Sequence, residues 1–249
     1  MPIKDDIAAG LRTKPPRLQA KKSKETKDTV RFNVTRWPEF NVNFWAINKN
    51  ASSTIINHLI HEATGVDIDY EHRYGQEGKR LIQDRRIDRD EALRNQHLNF
   101  AVVRHPQDRF ESAYRQFKFR DEPEGLKASR KARFDKSWEP QDFLEYIERK
   151  FELRKDPVVK KYSQLSGNKH FWKQMDFIPF KVLDKIDYIV KLEELNDKWP
   201  LKLIGPPTFI ANSTEPQPLP DYDLELLKNL YLEDFLTFNY TLKFGIDKE

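Results

Sequence analysis

Apolar residues fall in two rhythms along this chain, and the change from one to the other happens twice across a short polar loop. Asn43-Phe44-Trp45-Ala46-Ile47 is a mostly apolar run that stops at Asn48-Lys49-Asn50, the pattern of a buried strand entering a loop. Ile55, Ile56, Leu59 and Ile60 follow at helical spacing, with Ser52, Ser53 and Thr54 in front of them as an N-cap signal. The same order recurs downstream. Phe100-Ala101-Val102-Val103 is stopped by Arg104-His105-Pro106, and Phe110, Ala113, Tyr114 and Phe117 take up helical spacing behind a proline suited to a first turn. Tyr188-Ile189-Val190 predicts a third strand, and Leu224, Leu226, Leu227, Leu230, Tyr231 and Phe235 predict an amphipathic helix over 222–238. Strands alternating with helices predict an α/β fold with a central parallel sheet and helices on both faces. Ligands in such sheets bind at the carboxyl ends of the strands, where both polar loops lie.

Between these elements the chain is punctuated. Residues 1–30 have no hydrophobic period, contain Pro15-Pro16 and read as a disordered basic leader, so the folded domain is expected over 31–249. Residues 115–136 carry eight Lys/Arg and four acids around Pro123 and Gly125, the signature of a basic, partly helical excursion. Five prolines in 205–220 predict an extended connector before the last helix. No repeat of 20–50 residues is visible.

Composition narrows the function classes. The absence of cysteine excludes disulfides and thiolate chemistry and fits a reducing cytoplasm. No apolar run reaches the ~18–20 residues of a membrane span, and residues 1–30 lack a secretory apolar stretch. Residues 1–31 hold nine Lys/Arg against four acids, a local +5 within a chain total of +4, which leaves the body at −1. A nucleic-acid partner is disfavoured, because such binders carry their charge on a folded face. It survives as a reading in which the leader alone binds polyanions.

The two loops carry the candidate chemistry. Lys49-Asn50-Ala51-Ser52-Ser53-Thr54 joins a strand to a helix N-terminus with small and hydroxylated residues, the arrangement of a phosphate cradle. The GxxxxGK[ST] pattern of nucleoside triphosphatases is absent, since the segment has no glycine and its lysine comes first. In the second loop, Arg104 ends a strand and Ser112 stands two turns into the next helix, so a guanidinium fork and a hydroxyl could share one phosphate. The plain alternatives are a capped turn with an exposed lysine, and an Arg104 that pairs with Asp108.

Taken together, the loops resemble the two motifs that bind 3'-phosphoadenosine-5'-phosphosulfate (PAPS) in carbohydrate sulfotransferases of the chondroitin, dermatan and heparan sulfate 2-O type. Lys49, Ala51, Ser52, Ser53 and Thr54 match the Lys-x-Ala-Ser/Cys-Thr/Ser loop, and Arg104, Pro106, Arg109, Ser112 and Tyr114 match the Arg-x-Pro-x-x-Arg-x-x-Ser-x-Tyr segment. Ile186–Leu195 is similar to the family's Tyr-Asp-Phe-Ile-Gly-Lys-Phe-Glu-Thr-Leu block, and Leu230–Phe235 to its C-terminal Leu-Tyr-x-x-Asp-Phe helix. The similarity runs from about residue 43 to 244 in the family's order. Asn48 stands where animal enzymes carry proline. The membrane anchor and cysteines of luminal members are missing, which points to a soluble bacterial or viral relative.

The resemblance implies a P-loop-NTPase-like three-layer sandwich and metal-free, in-line sulfuryl transfer from PAPS to a hydroxyl-bearing acceptor, a saccharide. It assigns Lys49 to the leaving phosphate, Asn50, Ala51, Ser52, Ser53 and Thr54 to the 5'-phosphate, and Arg104 with Ser112 to the 3'-phosphate. The acceptor needs a general base. His72, in a polar loop between the motifs, is the first candidate, and Glu71, Glu62 and His97 are its rivals. His105 is expected to order its loop, and His58 and His61 to be structural. The competing functional readings are a catalytically idle nucleotide-binding module and the leader-borne nucleic-acid binder. No motif encodes the acceptor's identity or the oligomeric state.

Overall fold

A computed structural model describes residues 33–66, 75–119, 137–155, 170–208 and 219–243. The leader 1–30, His72, Glu71, most of the basic excursion and the middle of the proline-rich connector lie outside the described residues. Strands Asn33–Trp37 (β1), Val42–Ala46 (β2), Arg86–Ile87 (β3), Leu98–Val103 (β4) and Tyr188–Lys191 (β5) form one sheet in the order β3-β1-β2-β4-β5. The helices are Ser52–Thr64 (α1), Gly75–Arg85 (α2), Arg89–Arg94 (α3), Pro106–Phe119 (α4), Pro140–Lys155 (α5), Phe180–Leu183 (α6), Leu224–Leu230 (α7) and Leu232–Thr237 (α8).

The parallel part of the sheet is β2-β4-β5, with Phe44 beside Phe100 and Phe100 beside Tyr188. An antiparallel flank of β1 and β3 makes the whole sheet mixed. The connection explains the flank. Only Pro38–Phe40, a 3-10 turn, and a left-handed Asn41 separate β1 from β2, and so short a link can join antiparallel strands only.

Successive strand residues point to opposite faces, and each face has its own core. Phe44, Phe100 and Val102 pack on Ile55, Leu59 and Ile60 of α1 and Ile82 of α2. Trp45, Ala101 and Val103 pack on Ala92, Met175, Val182 and Phe238. Coverage on both sides is why β2 and β4 read as near-continuous apolar runs. Two polar interruptions are satisfied. Asn43 and Asn99 lie side by side in register, and Asn99 accepts from the Trp45 indole at 2.9 Å while Asn43 donates to Asn95 at 2.8 Å. Leu59 is fully buried, so Leu59→Ala costs about 2–5 kcal/mol and would loosen α1 from the sheet.

A third cluster joins α4, α5, α7 and α8 through Phe110, Tyr114, Phe143, Leu144, Leu227 and Phe235. The helix expected over 222–238 is two helices meeting at Tyr231, whose ψ of 19° departs from helical geometry. The buried Tyr231 hydroxyl donates to the Phe171 carbonyl at 2.8 Å, a tertiary anchor at the break. Among the described residues no helix is long and apolar enough to cross a membrane.

Candidate active site

Because β2, β4 and β5 are parallel, their carboxyl ends share one edge of the sheet, and the chemistry-bearing loops leave from that edge. The first loop turns without glycine by placing Lys49 (φ 71°) and Ala51 (φ 54°) in the left-handed region. Each such residue costs about 1–2 kcal/mol. Left-handed residues stand on either side of Asn50, whose own backbone N–H donates back to the Ile47 carbonyl at 3.3 Å and closes the turn. The turn also shifts the helix start. Ala51, not a hydroxyl residue, is the N-cap of α1, and no described side chain caps it. The first helical bond runs from Ile55 N–H to the Ala51 carbonyl at 3.0 Å. Ser52, Ser53 and Thr54 therefore form the first turn itself, at the positive end of a 13-residue helix dipole.

Asn50 locks this loop to its neighbour. Its buried amide donates to the Val102 carbonyl at 2.8 Å and to Gln174 Oε1 at 2.6 Å. Its own Oδ1 is buried with no partner among the described residues.

Arg104 leaves the end of β4 beside that loop. Its backbone is held on both sides by one side chain: Arg104 N–H donates to Gln174 Oε1, and Gln174 Nε2–H donates to the Arg104 carbonyl, each at 2.9 Å. Its guanidinium Nη1 reaches the Lys49 carbonyl oxygen in a long contact of 3.4 Å. Burial pulls the guanidinium below its ordinary pKa, opposed by the carboxylates of Asp108 and Glu193. Asp108, the alternative partner for Arg104, makes its close ion pair with Lys243 at 2.8 Å.

His105 orders the second loop. Its backbone N–H donates to Glu193 at the end of β5, and its ring Nε2 meets the Thr241 carbonyl at 2.6 Å. A carbonyl only accepts, so Nε2 carries the proton and Nδ1 is left to accept from Gln107 N–H at 3.3 Å. Burial lowers the imidazole's pKa, favouring this neutral form.

Helix α4 presents one face to the first loop. Arg109, Ser112 and Gln116 are spaced i, i+3, i+7 and so share that face. Arg109 donates through Nε to the Asn48 carbonyl at 3.0 Å and through Nη1 to the Trp172 carbonyl at 2.6 Å. It is only 2% exposed, so it braces the loop entry from below. Gln116 Oε1 accepts from the Lys49 ammonium at 3.0 Å. Ser112, half-buried, sits between those two contacts on the same flank. Tyr114, the last motif residue, is core, with its hydroxyl on the Trp138 carbonyl.

Lys49, Asn50, Ala51, Arg104 and Ser112 are thus brought to one edge, and the described rival bases, His97 and Glu62, are not. His97 precedes β4, at the amino end of a six-residue strand, about 20 Å along the sheet from Arg104. Glu62 lies ten residues into α1, about 15 Å along the axis from Ser52. His72 and Glu71 lie outside the described residues. His58 is buried against the Gly205 carbonyl at 2.7 Å and the Trp199 ring. Trp45 and Trp172 belong to the core. Among the described residues no group of three or more His, Cys, Asp or Glu is placed to hold a metal.

Four contributors carry no sequence signal strong enough to single them out: Gln116, Gln174, Glu193 and Asp234. Asp234 is fully buried and receives the backbone N–H groups of Gln174 at 2.8 Å and Met175 at 3.0 Å. Glu193 and Asp234 fall inside the two supporting blocks noted above, and that placement was the one available hint. Gln174 stands 124 positions from the Asn50 it binds, in a 3-10 turn with no motif around it.

No curated protein and no solved structure matches this chain. The model of the sulfotransferase family matches residues 32–205, well over half of the 249. That span takes in all five strands, both loops, α1, α4 and Gln174. With the two loops converging as described, the chain belongs to the sulfotransferase family.

Proposed function

We propose that the sulfuryl donor is PAPS and the acceptor a hydroxyl of a saccharide. The observation that carries this reading is the approach of Arg104 Nη1 to the Lys49 carbonyl at 3.4 Å, which lets one doubly phosphorylated adenosine span both loops. The Lys49 side chain and the first turn of α1 suit the 5'-phosphate. Arg104 and Ser112 suit the 3'-phosphate, which sets the donor apart from nucleotides lacking it. The buried Asn50 Oδ1, which has no partner among the described residues, further supports this reading.

The reaction balances without a redox partner. The acceptor oxygen forms a bond to sulfur while the bond from sulfur to the bridging oxygen of the 5'-phosphate breaks. The electron pair leaves with 3'-phosphoadenosine-5'-phosphate, and the acceptor's proton passes to a base, for which His72 remains our candidate. Lys49 neutralises the charge that grows on the leaving phosphate, the kind of fixed electrostatic stabilisation that dominates such transfers. A cysteine-free chain suits the reducing cytoplasm.

The test has two arms. A thermal-shift titration compares 3'-phosphoadenosine-5'-phosphate with adenosine 5'-phosphate, and a transfer assay follows labelled sulfate from PAPS to oligosaccharides. Stronger stabilisation by the bisphosphate, with labelled product, supports the reading; equal stabilisation by both nucleotides removes it.

A further inference from the structure

We infer that Gln174, anchored by Asp234, is a positioning residue that fixes the spacing between the two phosphate-binding loops, and so sets the preference for a nucleotide carrying both phosphates. The inference rests on the donor assignment just made and adds a residue outside both loops.

Three observations carry it. First, the Gln174 amide pairs with Arg104 on both its N–H and its carbonyl, each at 2.9 Å, continuing the backbone of β4 as a neighbouring strand would. Second, the same Oε1 accepts from Asn50 Nδ2 at 2.6 Å, so one planar group touches the residue between the two left-handed positions of the first loop and the backbone of Arg104 in the second. Third, Gln174 is fully buried and cannot itself reach a ligand. It acts only through Asn50 and Arg104.

The amide needs its own fixed base, because a short 3-10 turn has little internal rigidity. Asp234 supplies it from α8. Its two oxygens take the N–H groups of Gln174 and Met175, at 2.8 and 3.0 Å, clamping the backbone that carries the amide. The relay runs from Asp234 to Gln174 and then divides to Asn50 and Arg104. A rigid amide between two loops holds them at one separation. Without it each loop can still bind a phosphate, but the two no longer match one ligand.

This predicts a change in a ratio as well as in stability. Dissociation constants for 3'-phosphoadenosine-5'-phosphate and adenosine 5'-phosphate are measured by calorimetry on the full chain, the Gln174→Met variant and the Asp234→Asn variant. The preference of the full chain for the bisphosphate is expected to fall about tenfold in Gln174→Met, the loss of roughly one to two hydrogen bonds' worth of alignment. Asp234→Asn, the milder change, is expected to give a smaller fall and carries the test by itself if Gln174→Met does not fold. A lowered melting temperature with the preference intact, in whichever variants fold, overturns the positioning role and leaves the donor assignment standing. Equal affinity of the unaltered chain for both nucleotides overturns the donor assignment, and the positioning role with it.

Discussion

The ammonium of Lys49 donates to Oε1 of Gln116 at 3.0 Å, joining the first loop to the third turn of α4. That contact holds the ammonium at a defined point beside the second loop's helix. Lys49→Ala is expected to cut turnover by about 10²–10³-fold, the usual scale for one electrostatic stabiliser of a leaving oxygen, with a smaller effect on affinity for 3'-phosphoadenosine-5'-phosphate. Arg104→Ala is expected to do the reverse, raising the dissociation constant roughly 10–100-fold through loss of a charge-assisted bond. Single-turnover kinetics beside calorimetry separates the two. Near-normal nucleotide affinity in Arg104→Ala would remove its assignment.

Asp234 makes stability depend on pH in an unusual direction. Burial pushes its carboxyl from 3.8 up to about 6, against the opposing pull of Arg109 and two backbone N–H groups. Between those values the folded protein holds a proton that the unfolded chain has released, so the contribution is full below about pH 4 and is lost as pH rises through 6. About two pH units at 1.4 kcal/mol each make this on the order of 2–3 kcal/mol. Urea unfolding at pH 4.5 and pH 7 is expected to show that loss in the parent and not in Asp234→Asn. Parallel pH dependence in the two proteins counts against it.

Arg109 is the costliest motif residue to replace. It is buried, its charge is held down by desolvation, and it satisfies two carbonyls, those of Asn48 and Trp172. Arg109→Lys offers one compact ammonium in place of a planar fork and leaves at least one carbonyl unpaired, at about 1–3 kcal/mol. Chemical denaturation is expected to register this even at saturating nucleotide, because the fault lies beneath the loop.

Ala51 stores strain that can be released or increased. At φ 54° a Cβ is disfavoured, so Ala51→Gly is expected to be neutral or stabilising by up to about 1 kcal/mol, after allowing for the freer unfolded chain. Ala51→Val places a β-branched side chain in a region it avoids and is expected to cost about 2 kcal/mol or more. Melting curves of the pair, compared with the parent, settle the sign. A stabilising valine is incompatible with the loop geometry.

Both strand-loop-helix units were legible from local pattern: Phe44 packs against Ile55 and Leu59 nearby in sequence, and the polar stop at Arg104-His105-Pro106 separates the apolar run of β4 from the helical spacing of α4. The antiparallel flank was not. β1 is only five residues, Asn33-Val34-Thr35-Arg36-Trp37, with Val34, Thr35 and Trp37 all buried, and β3 is two residues long, so neither carries a period that can be read locally. The split at Tyr231 was hidden for a related reason. Its apolar spacing suits one helix, and the pull toward Phe171 comes from 60 positions away. Within the site, the loop residues could be named from their neighbours in sequence. Gln174 could not, because a glutamine's amide acquires meaning only from what faces it. The side-chain cap expected among Ser52, Ser53 and Thr54 gave way to Ala51 because the left-handed Lys49 and Ala51 finish the turn ahead of them.

The strand order has a consequence for how the protein fails. β2 and β4 are interior strands, each bonded on both sides, whereas β3 and β5 are the margins. Opening events in proteins start at margins, where few bonds must break together. Loops anchored to these interior strands are therefore expected to come apart last on heating, and the nucleotide binding proposed for them to vanish together with the fold, without an earlier, separate loss.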